Sequence, residues 1–261
     1  MLKHVIIVMC LFASIVHAKV EVTAGSFTIL TNILNQQNEV NKQHQHTEKV
    51  DVITQSLIGT PYNKYTLNQS HKGIETLVVN LKAMDCMTFI EYTEALKRSE
   101  NYEQFITNLA EIRYMGQEIS FTSRRHFFSD WLQEPNPVAR DITQQISPHT
   151  VSVNKKLNLN NQSGLFITGV PVKERVIRYI PVRYVDDNLI SRLKTGDYIG
   201  IYSKNSGLDV SHVGIVIKQG DKVQFRNASS LKGNLKVSDT ELLHYLTKKQ
   251  GILVFRAKVN D

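Results

Sequence analysis

The first half of the chain carries apolar residues at helical spacing. Val50, Ile53 and Leu57 lie three and four residues apart, which predicts a helix that stops at the following Gly-Thr-Pro. A second helical run follows Asp85, a favourable N-cap residue, and ends in a Lys-Arg pair that suits a helix C-terminus. Residues 102–114 repeat the pattern and predict a third helix.

The last third of the chain is rich in strand-forming residues. Short apolar runs with many β-branched and aromatic residues predict four strands, at residues 198–202, 213–217, 223–226 and 252–255. A Gln-Gly pair between the second and third runs predicts a tight hairpin. Because the helices precede an antiparallel sheet along the chain, we expect an α+β fold.

Two polar stretches interrupt these patterns. Residues 19–47 are rich in Asn, Gln, Thr and His, and we interpret them as a polar N-terminal extension with a short helix at 28–34. Residues 134–163 contain two prolines and many Asn, Gln and Ser, which indicates an insertion. We expect residues 19–261 to form a single domain.

The N-terminus has the pattern of a signal peptide. Lys3 and His4 precede an apolar run over residues 5–16, and Val-His-Ala at 16–18 fits a cleavage site. The run is shorter than the roughly 20 residues that span a bilayer. We therefore expect residues 1–18 to be removed, the mature protein to be periplasmic or secreted, and no stable membrane insertion.

Composition and charge narrow the class of partner. The 261 residues are 41% hydrophobic and 21% charged, as in globular proteins, and the formal net charge is +7. The basic residues are spread along the chain, which suits a general attraction to an anionic polymer such as cell wall. A nucleic-acid partner is not predicted, because no basic cluster is interleaved with aromatic residues. The oligomeric state stays open.

Cysteine usage singles out Cys86. The chain has two cysteines, and Cys10 lies within the predicted signal peptide, so the exported protein would hold one thiol and no internal disulfide. Such a thiol is either buried and inert or functional. The predicted cap at Asp85 places Cys86 in the first turn of a helix, where backbone N–H groups would lower the thiol pKa and could hold an oxyanion.

A base for this thiol is expected among the last strands. His212 lies at the start of a predicted strand, although a single histidine is more often structural. If the hairpin has a two-residue loop between Lys218 and Asp221, then His212 falls directly opposite Asn227 on the neighbouring strand. Asn227 could there accept the imidazole N–H and orient the ring.

Five segments of the chain together carry a family resemblance. They are Asp-Cys-Met-Thr-Phe-Ile-Glu at 85–91, Gly-Leu-Asp-Val-Ser-His-Val-Gly at 207–214, Arg-Asn-Ala-Ser at 226–229, Gly-Thr-Pro-Tyr at 59–62 and Arg-His-Phe-Phe-Ser-Asp-Trp at 125–131. In these segments the chain resembles the NlpC-type, papain-like cell-wall hydrolases, and in particular their N-acetylmuramoyl-L-alanine amidase-like branch. The resemblance extends from about residue 50 to the end.

This resemblance implies a papain-like (NlpC-type) α+β core, with a catalytic helix packed on an antiparallel sheet and with N-terminal and inserted helical segments. It implies Cys86 as nucleophile, His212 as base and Asn227 as the residue that orients the base. It also implies a substrate-binding role for six further residues, namely Tyr62, Arg124, His126, Asp130, Asp209 and Ser211.

The implied activity is hydrolysis of the amide between N-acetylmuramic acid and L-alanine in peptidoglycan fragments or muropeptides. The sequence has no His-Glu-x-x-His zinc motif, and we expect no metal or other cofactor. Two alternatives stay open. One is a peptidase that cuts within the stem peptide with the same three residues, and the other is a non-catalytic protein that binds cell wall.

Overall fold

The computed structural model describes residues 20–39, 46–160, 164–220 and 222–258, and the predicted signal peptide lies outside these ranges. The α-helices in the described ranges are α1 (Ser26–Glu39), α2 (His46–Ser56), α3 (Cys86–Lys97), α4 (Tyr102–Arg113), α5 (Thr143–Ile146), α6 (Asp187–Arg192) and α7 (Leu242–Leu246). The strands there are β1 (Val20–Val22), β2 (Leu77–Val79), β3 (Ala139–Asp141), β4 (Val151–Leu157), β5 (Leu159–Asn160), β6 (Gly164–Leu165), β7 (Lys173–Pro181), β8 (Asp197–Tyr202), β9 (Val210–Gln219), β10 (Lys222–Ala228), β11 (Val237–Glu241) and β12 (Gly251–Ala257).

An eight-stranded antiparallel sheet forms the centre of the molecule. Its strands follow the order β11-β10-β9-β8-β12-β7-β4, and β3 pairs with β12 beside β7. Two small sheets lie apart from it, β1 with β2 in parallel and β5 with β6 antiparallel. The antiparallel sheet and the mixture of helices and strands confirm the α+β class.

Helices cover both faces of this sheet, so its central strands are apolar on both sides. On one face α1 to α4 pack in a core that includes Leu30, Phe89 and Val213. On the other face α5 to α7 pack in a second core that includes Val216 and Phe225. All six residues of β8 are buried for this reason. Burial of this kind stabilises a fold by roughly 25 cal/mol per Å² of apolar surface.

Helix α3 begins where the sequence predicts. Asp85 is its N-cap, and a capping box joins the two ends of the first turn: the Thr88 N–H donates to Asp85 Oδ1 at 2.8 Å, and the Asp85 N–H donates to Thr88 Oγ1 at 2.9 Å. The predicted helices that became α2 and α4 are also confirmed. Cys86 therefore occupies the first position of α3.

The two polar stretches contribute to the fold. The helix predicted at 28–34 extends to the whole of α1, and Gln37 in α1 donates a hydrogen bond to the Leu96 carbonyl of α3 at 2.9 Å. The described part of the segment predicted as an insertion supplies β3, which pairs with β12, and β4, which pairs with β7. The four strands predicted in the last third are confirmed as β8, β9, β10 and β12.

The predicted hairpin register is wrong. Lys218 pairs with Val223, two residues beyond its predicted partner, because Gly220 begins the turn with a φ of 60° that glycine adopts without strain. A shift of two residues keeps every side chain on its face of the sheet, whereas a shift of one would reverse it. His212 and Asn227 are therefore diagonal neighbours on one face instead of a directly opposed pair.

Candidate active site

The thiol of Cys86 lies at the N-terminus of α3. The capping box between Asp85 and Thr88 fixes this helix start, and the thiol is half-buried. The backbone N–H groups of Cys86, Met87 and Val213 are within hydrogen-bond reach of the sulfur. Such a group of N–H donors can stabilise negative charge on a thiolate or on the oxyanion of a tetrahedral intermediate.

His212 is oriented by Asn227. Its Nε2 lies 2.9 Å from Asn227 Oδ1, and Asn227 in turn donates from its amide nitrogen to the Phe225 carbonyl at 3.2 Å. This second bond directs the amide oxygen toward the ring, so Nε2 carries the proton and Nδ1 is left with the lone pair of a base. Gly214 leaves room for the Phe225 ring beneath, since a Cβ there would lie 2.6 Å from it.

Cys86 and His212 share their neighbours. The Asp85 carboxylate acts electrostatically on both the thiol and the imidazole. The Tyr245 ring lies 6.4 Å from the His212 ring and 4.6 Å from the Phe225 ring. Burial and the electrostatic effect of the Cys86 sulfur raise the pKa of the Tyr245 hydroxyl. The structure thus brings thiol, imidazole and amide into one cluster at the start of β9. Tyr245, which closes this cluster, carries no motif in the sequence and was not predicted.

The electrostatics of this cluster differ from the sequence prediction. Burial and the Asp85 carboxylate raise the pKa of the Cys86 thiol to about 12, and the nearby N–H groups do not offset this rise. Burial also lowers the pKa of His212, Asn227 opposes that shift, and the charge of Lys249 adds to it. The expectation of a lowered thiol pKa is therefore wrong. These shifts favour the neutral thiol and the neutral imidazole at neutral pH.

Tyr62 is the predicted substrate-binding residue that the structure brings to the thiol. Its N–H donates to the Leu235 carbonyl at 2.9 Å, and the N–H of the next residue, Asn63, donates to the Met84 carbonyl at 3.0 Å. These bonds hold the half-buried side chain near Cys86, and burial together with the sulfur raises the pKa of Tyr62 to about 12. Its hydroxyl is therefore a hydrogen-bond donor throughout the neutral range.

Arg124 and His126 lie at a different place, a cavity of about 500 Å³ whose lining does not include Cys86 or His212. Arg124 pairs with Glu75 at 2.5 Å and so is held within the fold. His126 Nε2 is bonded to the Phe121 carbonyl at 2.7 Å, and burial lowers the pKa of His126 to about 4. The cavity is lined by residues 68–72, 121, 124, 126 and 166–168.

The remaining predicted binding residues are mostly occupied by the fold. Asp130 is fully buried and pairs with Lys173 at 2.9 Å. Asp209 is also buried and accepts the Ser129 N–H at 2.7 Å. Ser211 is exposed on β9 beside His212. Its hydroxyl donates to the Ile201 carbonyl at 3.4 Å, so all three side chains have a partner within the fold.

Metal binding and membrane insertion would each leave a recognisable feature in the described ranges. Among those residues no three His, Cys, Asp or Glu side chains are grouped as metal ligands would be. Within the same part of the chain, no helix has the length and apolar character that crossing a bilayer requires.

Known proteins share this fold. A Legionella pneumophila protein superposes with a TM-score of 0.74 at 20% identity, over 89% of this chain and 95% of its own. An N-acetylmuramoyl-L-alanine amidase from Bacteroides uniformis has a TM-score of 0.64 at 26% identity, over 79% of this chain and 97% of its own. A Bacteroides fragilis protein provisionally assigned as a xylanase has a TM-score of 0.60 at 28% identity, over 78% and 98%.

Sequence comparison gives the family. No curated protein matches the chain. Residues 52–252, well over half of the chain, match the family model described as N-acetylmuramoyl-L-alanine amidase-like, and this range contains every residue of the cluster around Cys86 and His212. The protein therefore belongs to the N-acetylmuramoyl-L-alanine amidase-like family of hydrolases.

Proposed function

We propose that this protein cleaves the amide between the lactyl group of N-acetylmuramic acid and L-alanine, with Cys86 as nucleophile, His212 as base and Asn227 as the orienting residue of an NlpC-type, papain-like core. The main support is the 2.9 Å bond between His212 Nε2 and Asn227 Oδ1, which leaves Nδ1 free beside a helix that presents the thiol. Similarity to the Bacteroides uniformis amidase supports the choice of bond.

The reaction is an acyl transfer in two steps. His212 takes the proton of the Cys86 thiol as the sulfur attacks the lactyl carbonyl, and backbone N–H groups around the sulfur stabilise the oxyanion. The imidazolium then protonates the departing amine of L-alanine. His212 next removes a proton from water, which attacks the thioester and releases the free lactyl acid. Asn227 keeps the ring in the required tautomer throughout.

We also propose that the protein acts outside the cytoplasm, in the periplasm or after secretion. The support is the signal-peptide pattern of residues 1–18, together with a substrate class that lies outside the inner membrane. The formal net charge of +7 suits an anionic wall polymer.

Product analysis tests the proposed bond. Purified protein is incubated with defined muropeptides, and the products are identified by mass. We expect a free stem peptide with an L-alanine N-terminus and a sugar that ends in the lactyl acid. Cys86→Ser should lower the rate by on the order of 10³-fold or more, because the hydroxyl is a far weaker nucleophile at this base. Its unfolding midpoint should stay close to that of the wild type.

Other products would contradict the proposed activity and identify a different one. Fragments cut between stem residues would identify a stem-peptide peptidase that uses the same thiol. New reducing ends would indicate cleavage of a glycosidic bond, the reaction class suggested by the name of the Bacteroides fragilis neighbour. Binding of wall fragments without any product, unchanged in Cys86→Ala, would identify a non-catalytic wall-binding protein.

A further inference from the structure

A lysine lies at the edge of the catalytic cluster. Helix α7 places Tyr245 against His212 and Phe225, with ring centroids 6.4 Å and 4.6 Å away. Four residues later, Lys249 holds its Nζ 4.9 Å above the centroid of the Tyr245 ring. The Lys249 N–H donates to the Leu246 carbonyl at 2.8 Å, which fixes the backbone of this turn. The ammonium group is therefore held against the aromatic ring that packs beside His212.

Several partly buried cations of the fold have a carboxylate partner in the described ranges, and Lys249 does not. Lys173 pairs with Asp130 at 2.9 Å, and Arg256 pairs with Asp197 at 2.6 Å. Among the residues that the structure describes, no carboxylate lies within ion-pair distance of Lys249, although its side chain is half-buried. An anion that enters the cleft can therefore form a charge-assisted hydrogen bond with this ammonium group.

We propose that Lys249, supported by the Tyr245 ring, forms a subsite that binds a carboxylate of the substrate's stem peptide. This inference rests on the proposed function, because it assigns the anion to the peptide whose bond the Cys86 thiol attacks. The substrate class is thereby narrowed to muropeptides with a free acidic group near the cleaved amide. A stem whose acidic groups are amidated would lack the partner that Lys249 requires.

The position of Lys249 also couples substrate charge to the base. The groups that act on His212 are Asn227, Lys249 and Asp85, and the Tyr245 ring packs beside it. The positive charge of Lys249 lowers the pKa of His212, so a carboxylate that neutralises this charge raises it again. An anionic stem would therefore bind more tightly and also meet a stronger base than an amidated stem.

A pair of matched substrates tests this subsite. One is N-acetylmuramoyl-L-alanyl-D-glutamate with both glutamate carboxyls free, and the other is the same compound with both converted to amides. We expect wild-type kcat/KM to be about tenfold higher for the diacid, the size of one charge-assisted hydrogen bond in a partly wet site. In Lys249→Met, kcat/KM for the diacid should fall about tenfold, mainly because KM rises. The value of kcat/KM for the diamide should change less than twofold.

Two further variants control the design. Lys249→Arg keeps the charge and should retain most of the preference for the diacid. Lys248→Met removes the neighbouring exposed lysine and should leave both substrates unchanged. The acid limb of kcat/KM should move to higher pH in Lys249→Met, because loss of the cation raises the pKa of His212. A side chain that merely supports α7 would not produce this movement.

The outcomes separate this subsite from the proposed function. Equal cleavage of diacid and diamide by the wild type, or an equal loss on both in Lys249→Met, would overturn the subsite and leave the amidase activity standing. If the wild type cleaves neither compound, the amidase proposal fails, and calorimetry on Cys86→Ala decides the subsite alone. Binding of the diacid that Lys249→Met weakens tenfold would support the subsite there, and equal binding of both compounds would overturn it.

Discussion

The two ends of helix α3 differ in the partners that surround their polar groups. Toward its C-terminus, the fully buried Glu94 accepts hydrogen bonds from Lys97, from Arg98 at 2.7 Å and from the Tyr198 hydroxyl. At its N-terminus, backbone N–H groups lie within hydrogen-bond reach of the Cys86 sulfur, and the Asp85 carboxylate acts on it electrostatically. Three side-chain donors saturate the Glu94 carboxylate at one end, whereas backbone N–H groups favour the charged form of the thiol at the other.

This difference separates a structural role from the reactive role proposed for Cys86 within a single helix. Burial raises the pKa of Glu94, but the charges of Lys97 and Arg98 together outweigh burial, so the net shift is downward and the carboxylate stays charged at neutral pH. The same carboxylate joins α3 to β8 through the Tyr198 hydroxyl. Burial and the Asp85 carboxylate raise the pKa of Cys86, and the backbone N–H groups offset this rise only in part. The charged end holds the helix on the sheet, and this rigidity fixes the position of the neutral end against β9.

The largest effect that tests this comparison is expected at the saturated end. Glu94→Gln removes the carboxylate and leaves the Lys97 and Arg98 cations, which are 6% and 15% exposed, without an anion. Removal of one partner from a buried ion pair costs about 3–5 kcal/mol. We expect the free energy of unfolding in urea to fall by this amount, while kcat of the folded fraction at low temperature changes little.

A surface pair provides the control for Glu94. Lys156 and Glu174 approach to 3.7 Å, but their side chains are 63% and 79% exposed. Glu174→Gln should therefore change the free energy of unfolding by less than about 1 kcal/mol. Equal losses for Glu94→Gln and Glu174→Gln would show that the saturated end of α3 is not the anchor inferred from its contacts.

The next effect concerns the residue that orients the base. Asn227→Ala leaves His212 Nε2 without its acceptor, so the ring can rotate and its tautomer is no longer fixed. A misplaced catalytic group costs about 10²-fold in rate. We expect kcat on the cleaved muropeptide to fall by about this factor with little change in KM or in the free energy of unfolding.

A conservative variant distinguishes orientation from simple packing. In Asn227→Asp the carboxylate still accepts a hydrogen bond from His212 Nε2. Its negative charge also stabilises the imidazolium and so raises the pKa of His212. The acid limb of the pH–rate profile should therefore move to higher pH, while much of kcat above that limb returns. If Asn227→Asp and Asn227→Ala lose activity equally at every pH, Asn227 does not orient the base.

Local signals in the sequence were sufficient to predict helix α3 and the central strands. The position of Cys86 depends on a capping residue one place earlier, and helix caps are determined by neighbours within a single turn. The His212–Asn227 contact was predicted from a hairpin of the wrong register, and it survives because the error was an even number of residues. Strand periodicity thus predicted the face of the sheet more securely than the partner.

Features that depend on distant parts of the chain could not be read in this way. Strands β4 and β7 lie at one side of the sheet and are rich in charged residues, of which Glu174 faces solvent while Lys173 and Arg175 pair with the buried Asp130. Tyr245 joins the site through a short helix almost 160 residues after Cys86, and no local pattern connects them. The raised thiol pKa has the same origin, since it depends on burial by segments far away in sequence.

The smallest expected effect concerns Asp85, at the N-terminus of α3. The Asp85 carboxylate raises the pKa of Cys86, so Asp85→Asn should lower it and increase the fraction of thiolate. Asn caps helices as well as Asp does, and the bond to the Thr88 N–H can persist. We expect iodoacetamide to alkylate Asp85→Asn a few-fold faster than the wild type at pH 8.

The pH dependence of the alkylation rate shows in which direction the thiol pKa changes. With a thiol pKa of about 12, the wild-type rate should rise with pH from 7 to 10 without reaching a plateau. The Asp85→Asn profile should be displaced to lower pH with the same shape, and its free energy of unfolding should stay within about 0.5 kcal/mol of the wild type. A wild-type plateau at neutral pH would instead mean that Cys86 and His212 rest as a thiolate–imidazolium pair. The reactive end of α3 would then carry a stable charge pair, as the saturated end does, and the contrast between them would be lost.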